Sequence, residues 1–165
     1  MELIHDKDIL ESNADFIVHQ CNCVSRQKGG LSAKIFSKFP DAASIYGKHT
    51  KLQPGTITIH GNIVNLYCQH FVGNPRPKGY DSLEQRQGWF GQSMLQLSIY
   101  LNKSGKEDFT VAIPHCIGTD ESNWTNYLKI IQGFSQSIKG KVHIYWTSVK
   151  KISTDTNGEH SASGA

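Results

Sequence analysis

An asparagine closes a short apolar run, and two glycines open an amphipathic segment a few residues later. The stretch reads Val18-His19-Gln20-Cys21-Asn22-Cys23, then Gly29-Gly30-Leu31-Ser32-Ala33-Lys34-Ile35. Asn22 offers an acceptor and donors, enough to orient a hydroxyl group or a water. Glycines let the backbone approach a ligand closely, and a helix N-terminus presents unpaired N–H groups to an anion. In open α/β sheets, strand ends followed by such loops are where ligands bind. A phosphate-bearing ligand is the chemistry this stretch points to.

A second cluster precedes Trp124. Ile117, Gly118, Thr119, Asp120, Glu121 and Ser122 form a loop whose backbone N–H groups could share a pair of phosphates with those of Gly30, Leu31 and Ser32. Asp120 is the sharpest catalytic candidate. Beside a bound diphosphate its pKa is expected to rise, and it could serve as base or nucleophile. The plainer role for Asp120 and Glu121 is a solvated loop, or the cap of the helix that carries Trp124. His19 and His115 fall in apolar strands, where a hydrogen-bonded core histidine is the more common outcome. Tyr67, Tyr80, Trp89 and Phe90 could stack on a base, although Trp89 and Phe90 fit better as helix-to-sheet packing.

The four cysteines, at 21, 23, 68 and 116, match no common zinc spacing, and Cys21-Asn22-Cys23 is too tight for an ordinary disulfide. Reduced thiols are expected. That spacing disfavours a metal site built from Cys21 or Cys116 with His19 or His115, and none is expected.

These residues need elements to hold them. Leu3 to His5 and Asp15 to Cys21 read as strands, and Leu31, Ile35, Phe36 and Phe39 recur as one helical face. Pro40 ends that helix, and a short one follows to Tyr46. Thr56 to His60 and Ile63 to Cys68 flank Gly61-Asn62, which predicts a two-residue hairpin. Gly73 to Gly79 is a loop by composition. Leu83, Phe90, Met94, Leu97 and Leu101 mark a long helix. Phe109 to Pro114 is a strand, Trp124 to Ile138 a helix, and Val142 to Trp146 a last strand. The polar segment from Ser153 to Ala165 reads as a disordered tail. The class is α/β: a largely parallel, mixed sheet between two helical layers.

With 165 residues the chain makes one domain, assigned to 1–150 with the tail at 151–165. A formal charge of +3 suits an anionic ligand and is too small for a nucleic-acid surface. No apolar run is long enough to span a membrane, and the N-terminus lacks a signal-like region, so an intracellular protein is expected, in cytoplasm or nucleus.

Taken in order, the segments resemble the macro domain family, which binds ADP-ribose, from about Glu2 to Trp146. The resemblance rests on Asp8-Ile9, Phe16-Ile17-Val18-His19-Gln20-Cys21-Asn22, Gly29-Gly30-Leu31-Ser32, Pro54-Gly55-Thr56, Asn65-Leu66-Tyr67, and Ile113-Pro114-His115-Cys116-Ile117-Gly118 before Trp124. It implies a three-layer α/β/α fold. It implies that Asp8 and Ile9 meet adenine, that Asn22 meets the distal ribose, and that the two loops hold the diphosphate. The His-Gln-Cys-Asn-Cys form is similar to the branch with ADP-ribose-1''-phosphate phosphatases and enzymes that remove ADP-ribose from carboxylates. In that branch an Asp at the offset of Asp120 takes part in catalysis together with a Lys. Lys51 is the nearest counterpart, with Lys48 second.

The second loop departs from the pattern: Thr119-Asp120-Glu121-Ser122-Asn123 lacks the usual glycines and adds two carboxylates. The expected function is hydrolysis of an ADP-ribose derivative by a monomer, without cofactor, with ADP-ribosylated proteins as partners. The alternative is a binding module without turnover. Nucleic-acid binding through Arg76, Lys78 and Arg86 ranks last.

Overall fold

The computed structural model of the chain describes residues 1–47 and 51–146; Lys48 and the expected tail lie outside the described residues. Six strands form one sheet: β1 (Glu2–His5), β2 (Phe16–Asn22), β3 (Thr56–His60), β4 (Ile63–Gln69), β5 (Thr110–Pro114) and β6 (Lys141–Trp146). The helices are α1 (Gly30–Lys38), α2 (Leu83–Ser104) and α3 (Glu121–Ser137), with 3-10 segments at Ile9–Glu11 and Pro40–Gly47. The strand order is β1-β6-β5-β2-β4-β3, parallel throughout except for β3 against β4. The expected class holds. The short helix after Pro40 is 3-10 rather than α, and the expected hairpin turns at Gly61-Asn62, with Gly61 at φ +61°.

Burial explains the arrangement. All seven residues of β2 and all seven of β4 are buried, as central strands covered on both faces must be. Alternate side chains feed two cores. Phe16 and Val18 join Phe90, Met94, Leu97, Tyr127 and Ile131 beneath α2 and α3. Ile17 and Cys21 join Ile35 and Phe36 of α1, with Ala42 and Ile9. Ile9, expected at a ligand, spends its side chain on this second core. Among the described residues no helix is long and apolar enough to cross a membrane.

The parallel strands all end on one side of the sheet, at His5, Trp146, Pro114, Asn22 and Gln69. Because β3 runs antiparallel, Thr56 pairs with Tyr67, and the segment leading into β3 reaches the same side. This common end carries the loops that the sequence singled out for ligand binding, while the Gly61-Asn62 hairpin turns at the opposite end.

His19 locks the second core to the sheet. Its Nδ1 lies 2.8 Å from Ser32 Oγ and its Nε2 lies 2.6 Å from Asn65 Oδ1. Asn65 uses its amide N–H on the Ala42 carbonyl, so its Oδ1 must accept, and the imidazole proton sits on Nε2. His19 is thus the core histidine expected. Burial pushes its pKa down to about 4, against the help of Asn65. The unfolded chain takes up a proton near 6.5 that the folded state refuses until about 4, so stability falls as pH drops through that window. Urea unfolding at pH 4.5 should therefore show a loss of about 2–3 kcal/mol relative to pH 7, and a folded His19→Gln variant should lose that part of the pH dependence.

Candidate functional site

Asn22 sits one residue deeper in structure than the sequence suggests, inside β2 rather than beyond it. A register shift between Cys21 and Asn22 pairs Asn22 with Gln69. Its side chain is fully buried, and Oδ1 accepts from the backbone N–H of Val24 and Ser25, each at 2.8 Å. Its carbonyl accepts from Tyr46 Oη at 2.8 Å. The amide nitrogen Nδ2 is buried and, among the described residues, has no hydrogen-bond partner. A buried donor left unpaired costs about 1–3 kcal/mol, a cost usually offset by a role. Asn22 therefore anchors the first loop with one atom and holds out a donor with the other.

Gln20 is the second such group, and sequence reasoning missed it. Its Nε2 donates to Gln69 Oε1, and Gln69 in turn donates to the Phe71 carbonyl at 2.7 Å. Gln20 Oε1 is buried and, among the described residues, without a hydrogen-bond partner. The second loop lies directly over it. Gly118 has φ +78°, and a Cβ there would come within 2.3 Å of the Gln20 amide. Only glycine satisfies both the backbone angle and the contact.

The two loops differ in how they end in helices. In α1, Gly29 is the N-cap and so offers no capping side chain, and a Cβ at Gly30, φ +67°, would meet nothing within 4 Å among the described residues. The Ser32 hydroxyl is turned inward, 2.8 Å from His19 Nδ1 and 2.9 Å from the Gln20 carbonyl, and its single proton serves one of them, leaving that turn its backbone N–H groups. Such an end suits an anion by geometry and by dipole. In α3 the site is already taken by the chain's own charge. Asp120 is the N-cap, and its Oδ1 accepts from Asn123 N at 3.0 Å, Asn123 Nδ2 at 2.8 Å and Ser122 Oγ at 2.7 Å. These bonds, the Ser122 hydroxyl foremost, hold its pKa below the ordinary carboxylate value; the rise expected beside a diphosphate concerns the ligand-bound state. Glu121 pairs with His115 Nε2 at 2.7 Å. Ile117 is a core residue, and Thr119 closes the turn through its N–H to the Cys116 carbonyl.

Asp8 caps the first 3-10 segment, its Oδ1 accepting from Leu10 N at 2.9 Å, and it is exposed at the sheet's carboxyl side. Lys51 is exposed on the approach to β3; among the described residues no hydrogen bond or ion pair joins it to Asn22 or Asp120. Tyr67 is wholly buried, its hydroxyl 2.7 Å from Thr58 Oγ1, so it cannot stack on a base. Phe90 packs in the first core as expected, while Trp89 lies against Tyr80.

Arg86 corrects the sequence reading. It is no part of a basic surface but is buried against Asp81, with Nε and Nη2 on the two carboxylate oxygens at 3.0 and 2.8 Å. Asp81 also accepts from His70 N and Phe71 N. Burial would raise the Asp81 pKa, but Arg86 and the two amides hold it below the usual range. The pair pins the loop from His70 to Ser82 beside Cys23, whose N–H donates to the His70 carbonyl. An open groove between β3 and α2, lined by Ile57, Ile59, Ile99 and Tyr100, lies at mid-strand, away from this end.

No protein-family sequence model matches the chain. No curated protein matches it by sequence. Solved structures do. The macrodomain of Thermus aquaticus DarG superposes with a TM-score of 0.67 at 17% identity, over 87% of this chain and 97% of that one. Thermosipho africanus DarTG in complex with ADP-ribose gives 0.65 at 15% identity, over 87% of this chain and 41% of that one. The macro domain of ganglioside induced differentiation associated protein 2 gives 0.62 at 14% identity, over 94% and 81%. The chain therefore has the macrodomain fold, as its ordered segments led one to expect.

Two substitutions test the supports of this site. Arg86→Met leaves Asp81 buried without its counterion and should cost about 3–5 kcal/mol in urea unfolding. Gly118→Ala should cost about 1–3 kcal/mol, and less in a Gln20→Ala background, where the clash is removed and only the backbone strain remains.

Proposed function

We propose that the protein binds ADP-ribose across the carboxyl end of its sheet and hydrolyses an ADP-ribose derivative there. The observation that carries the reading is the pairing of an uncapped, glycine-led helix end at α1 with the buried, unpartnered Nδ2 of Asn22. One takes an anion and the other takes a hydroxyl oxygen, and a nucleotide sugar offers both. The likeness in fold to a macrodomain protein seen with ADP-ribose supports the same ligand. Asp8 and the residues after β1 would face adenine, with the N–H groups of residues 30–32 and of residues 118–122 around the diphosphate.

Asp120 would act on the bond to be broken. A carboxylate stabilised by hydrogen bonds is ionised at neutral pH, which suits a base or nucleophile and not a general acid. Asn22 would orient the distal ribose or the attacking water. The substrate would be ADP-ribose-1''-phosphate or ADP-ribose esterified to a carboxylate, with Lys51 as the candidate cation. A second reading, binding without turnover, draws on the same loop: Asp120 is committed as a cap, and Asp120 and Glu121 place two carboxylates where a diphosphate would approach.

Calorimetric titration with ADP-ribose is expected to give micromolar affinity, about −8 kcal/mol. Asp120→Asn separates the two readings, because asparagine caps a helix as well as aspartate does. If the carboxylate is catalytic, turnover of either substrate should fall about 100-fold or more, with ADP-ribose affinity kept or improved. Binding with no turnover in the unaltered protein would leave the module reading; no binding would remove ADP-ribose as the ligand.

A further inference from the structure

We propose that His115, Cys116 and Glu121 form a binding site for one divalent transition metal, Zn²⁺ being the best match, at the turn between β5 and α3. Their ligand atoms, an imidazole nitrogen, a thiol sulfur and a carboxylate oxygen, all lie within 4.8 Å of one another. The ordinary account makes His115 and Glu121 an ion pair at a helix N-terminus, with Cys116 a structural residue of the turn. Three features favour a metal instead.

The donor set is the first. Nitrogen, sulfur and carboxylate oxygen are the three donors zinc takes, and three protein ligands leave a fourth tetrahedral position for water or substrate. Mg²⁺ and Ca²⁺ would not choose a thiolate.

Preorganisation is the second. The His115 ring stacks on Trp146 at 4.3 Å and 6°, with Trp124 at 4.7 Å, so its direction is set by packing. The backbone N–H of His115 is fixed on the Tyr145 carbonyl at 2.8 Å. Cys116 is held left-handed at φ 65°, a conformation that a residue with a side chain rarely adopts. The turn keeps that strain at the residue that supplies the sulfur.

Freedom in the third ligand is the last. With bonds of about 2.0 Å to nitrogen and 2.3 Å to sulfur, donors around a tetrahedral zinc stand about 3.5 Å apart. The His115–Glu121 hydrogen bond at 2.7 Å must open and the sulfur must close in. Glu121, with 69% of its side chain exposed, has room to do so. The other thiols do not compete. Cys21 and Cys68 are fully buried, and burial pushes the Cys23 thiol up to about 12. A cation here would also offset the two carboxylates of the second loop. The proposal stands on these three residues and does not require ADP-ribose as ligand.

The test uses the full chain, stripped of metal by chelation. Titration with Co²⁺ should give a thiolate-to-cobalt charge-transfer band saturating at one equivalent, and Zn²⁺ should abolish it. Binding replaces the thiol proton, so calorimetry in two buffers should show proton release. Cys116→Gly relieves the left-handed strain and so keeps the fold; it should lose the band and weaken Zn²⁺ at least about tenfold. His115→Gln should weaken Zn²⁺ similarly, and Glu121→Gln should keep the band with lower affinity. No band in the unaltered protein, or Zn²⁺ affinity unchanged in Cys116→Gly, would overturn the site. Co²⁺ or Zn²⁺ held only by the other histidines of this eight-histidine chain would show as that second result.

Discussion

Complete burial of β2 is the constraint on which the rest of the molecule depends. Seven consecutive residues lie out of water on both faces, yet three of them, His19, Gln20 and Asn22, are polar. A buried polar group must find a partner or remain at a cost. His19 finds two, and in doing so ties α1 to β4 through Ser32 and Asn65. Gln20 and Asn22 are only half satisfied. The strand thus sorts its polar residues by depth. The inner one cements the layers, and the two nearest the carboxyl end retain unpaired atoms beside the loops. A fully apolar β2 would build the same sheet with nothing at its mouth.

The same end shows how one helix terminus can be left for a ligand while another is closed by the chain. Both α1 and α3 begin where a glycine loop leaves a strand. At α1 the N-cap is Gly29, which has no side chain to cap the first turn. At α3 a carboxylate occupies that place, and a second pairs with His115. Dipole and N–H groups are comparable at the two ends; the difference lies in one side chain. Any anion that binds here meets an inviting first loop and a second loop that already carries negative charge, so the chemistry of Asp120 and the strength of binding are set by the same group.

The loop from His70 to Ser82 shows the cost of holding irregular backbone near a site. It runs as exposed chain after β4, yet its ends are pinned by a buried ion pair, Asp81 with Arg86, which also satisfies two backbone N–H groups. Such a pair stabilises little beyond a well-packed apolar alternative, but it defines one position for the loop. The aromatic residues His70, Phe71 and Tyr80 pack on each other over that anchor.

Hydrophobic period and turn residues are local properties, and they were enough to place the strands and the hairpin at Gly61-Asn62 within a residue or so and the helices within about one turn, the last one starting at Glu121 rather than Trp124. The order of the segments sufficed to indicate the macrodomain fold, and the residue types around Asn22, Gly30 and Asp120 indicated where chemistry would gather. What could not be read locally was which polar groups meet. Gln20 and Gln69 are 49 residues apart. Arg86 reads as a surface charge until Asp81 is found beneath it, five residues away but on a left-handed turn. Gly118 reads as loop flexibility until Gln20 is found under it. Whether Asp120 is a cap, a catalyst or both depends on where α3 begins relative to β2. Periodicity is written residue by residue along the chain, whereas partnership between polar groups exists only after burial has removed water as the alternative partner, and burial is decided by the tertiary fold.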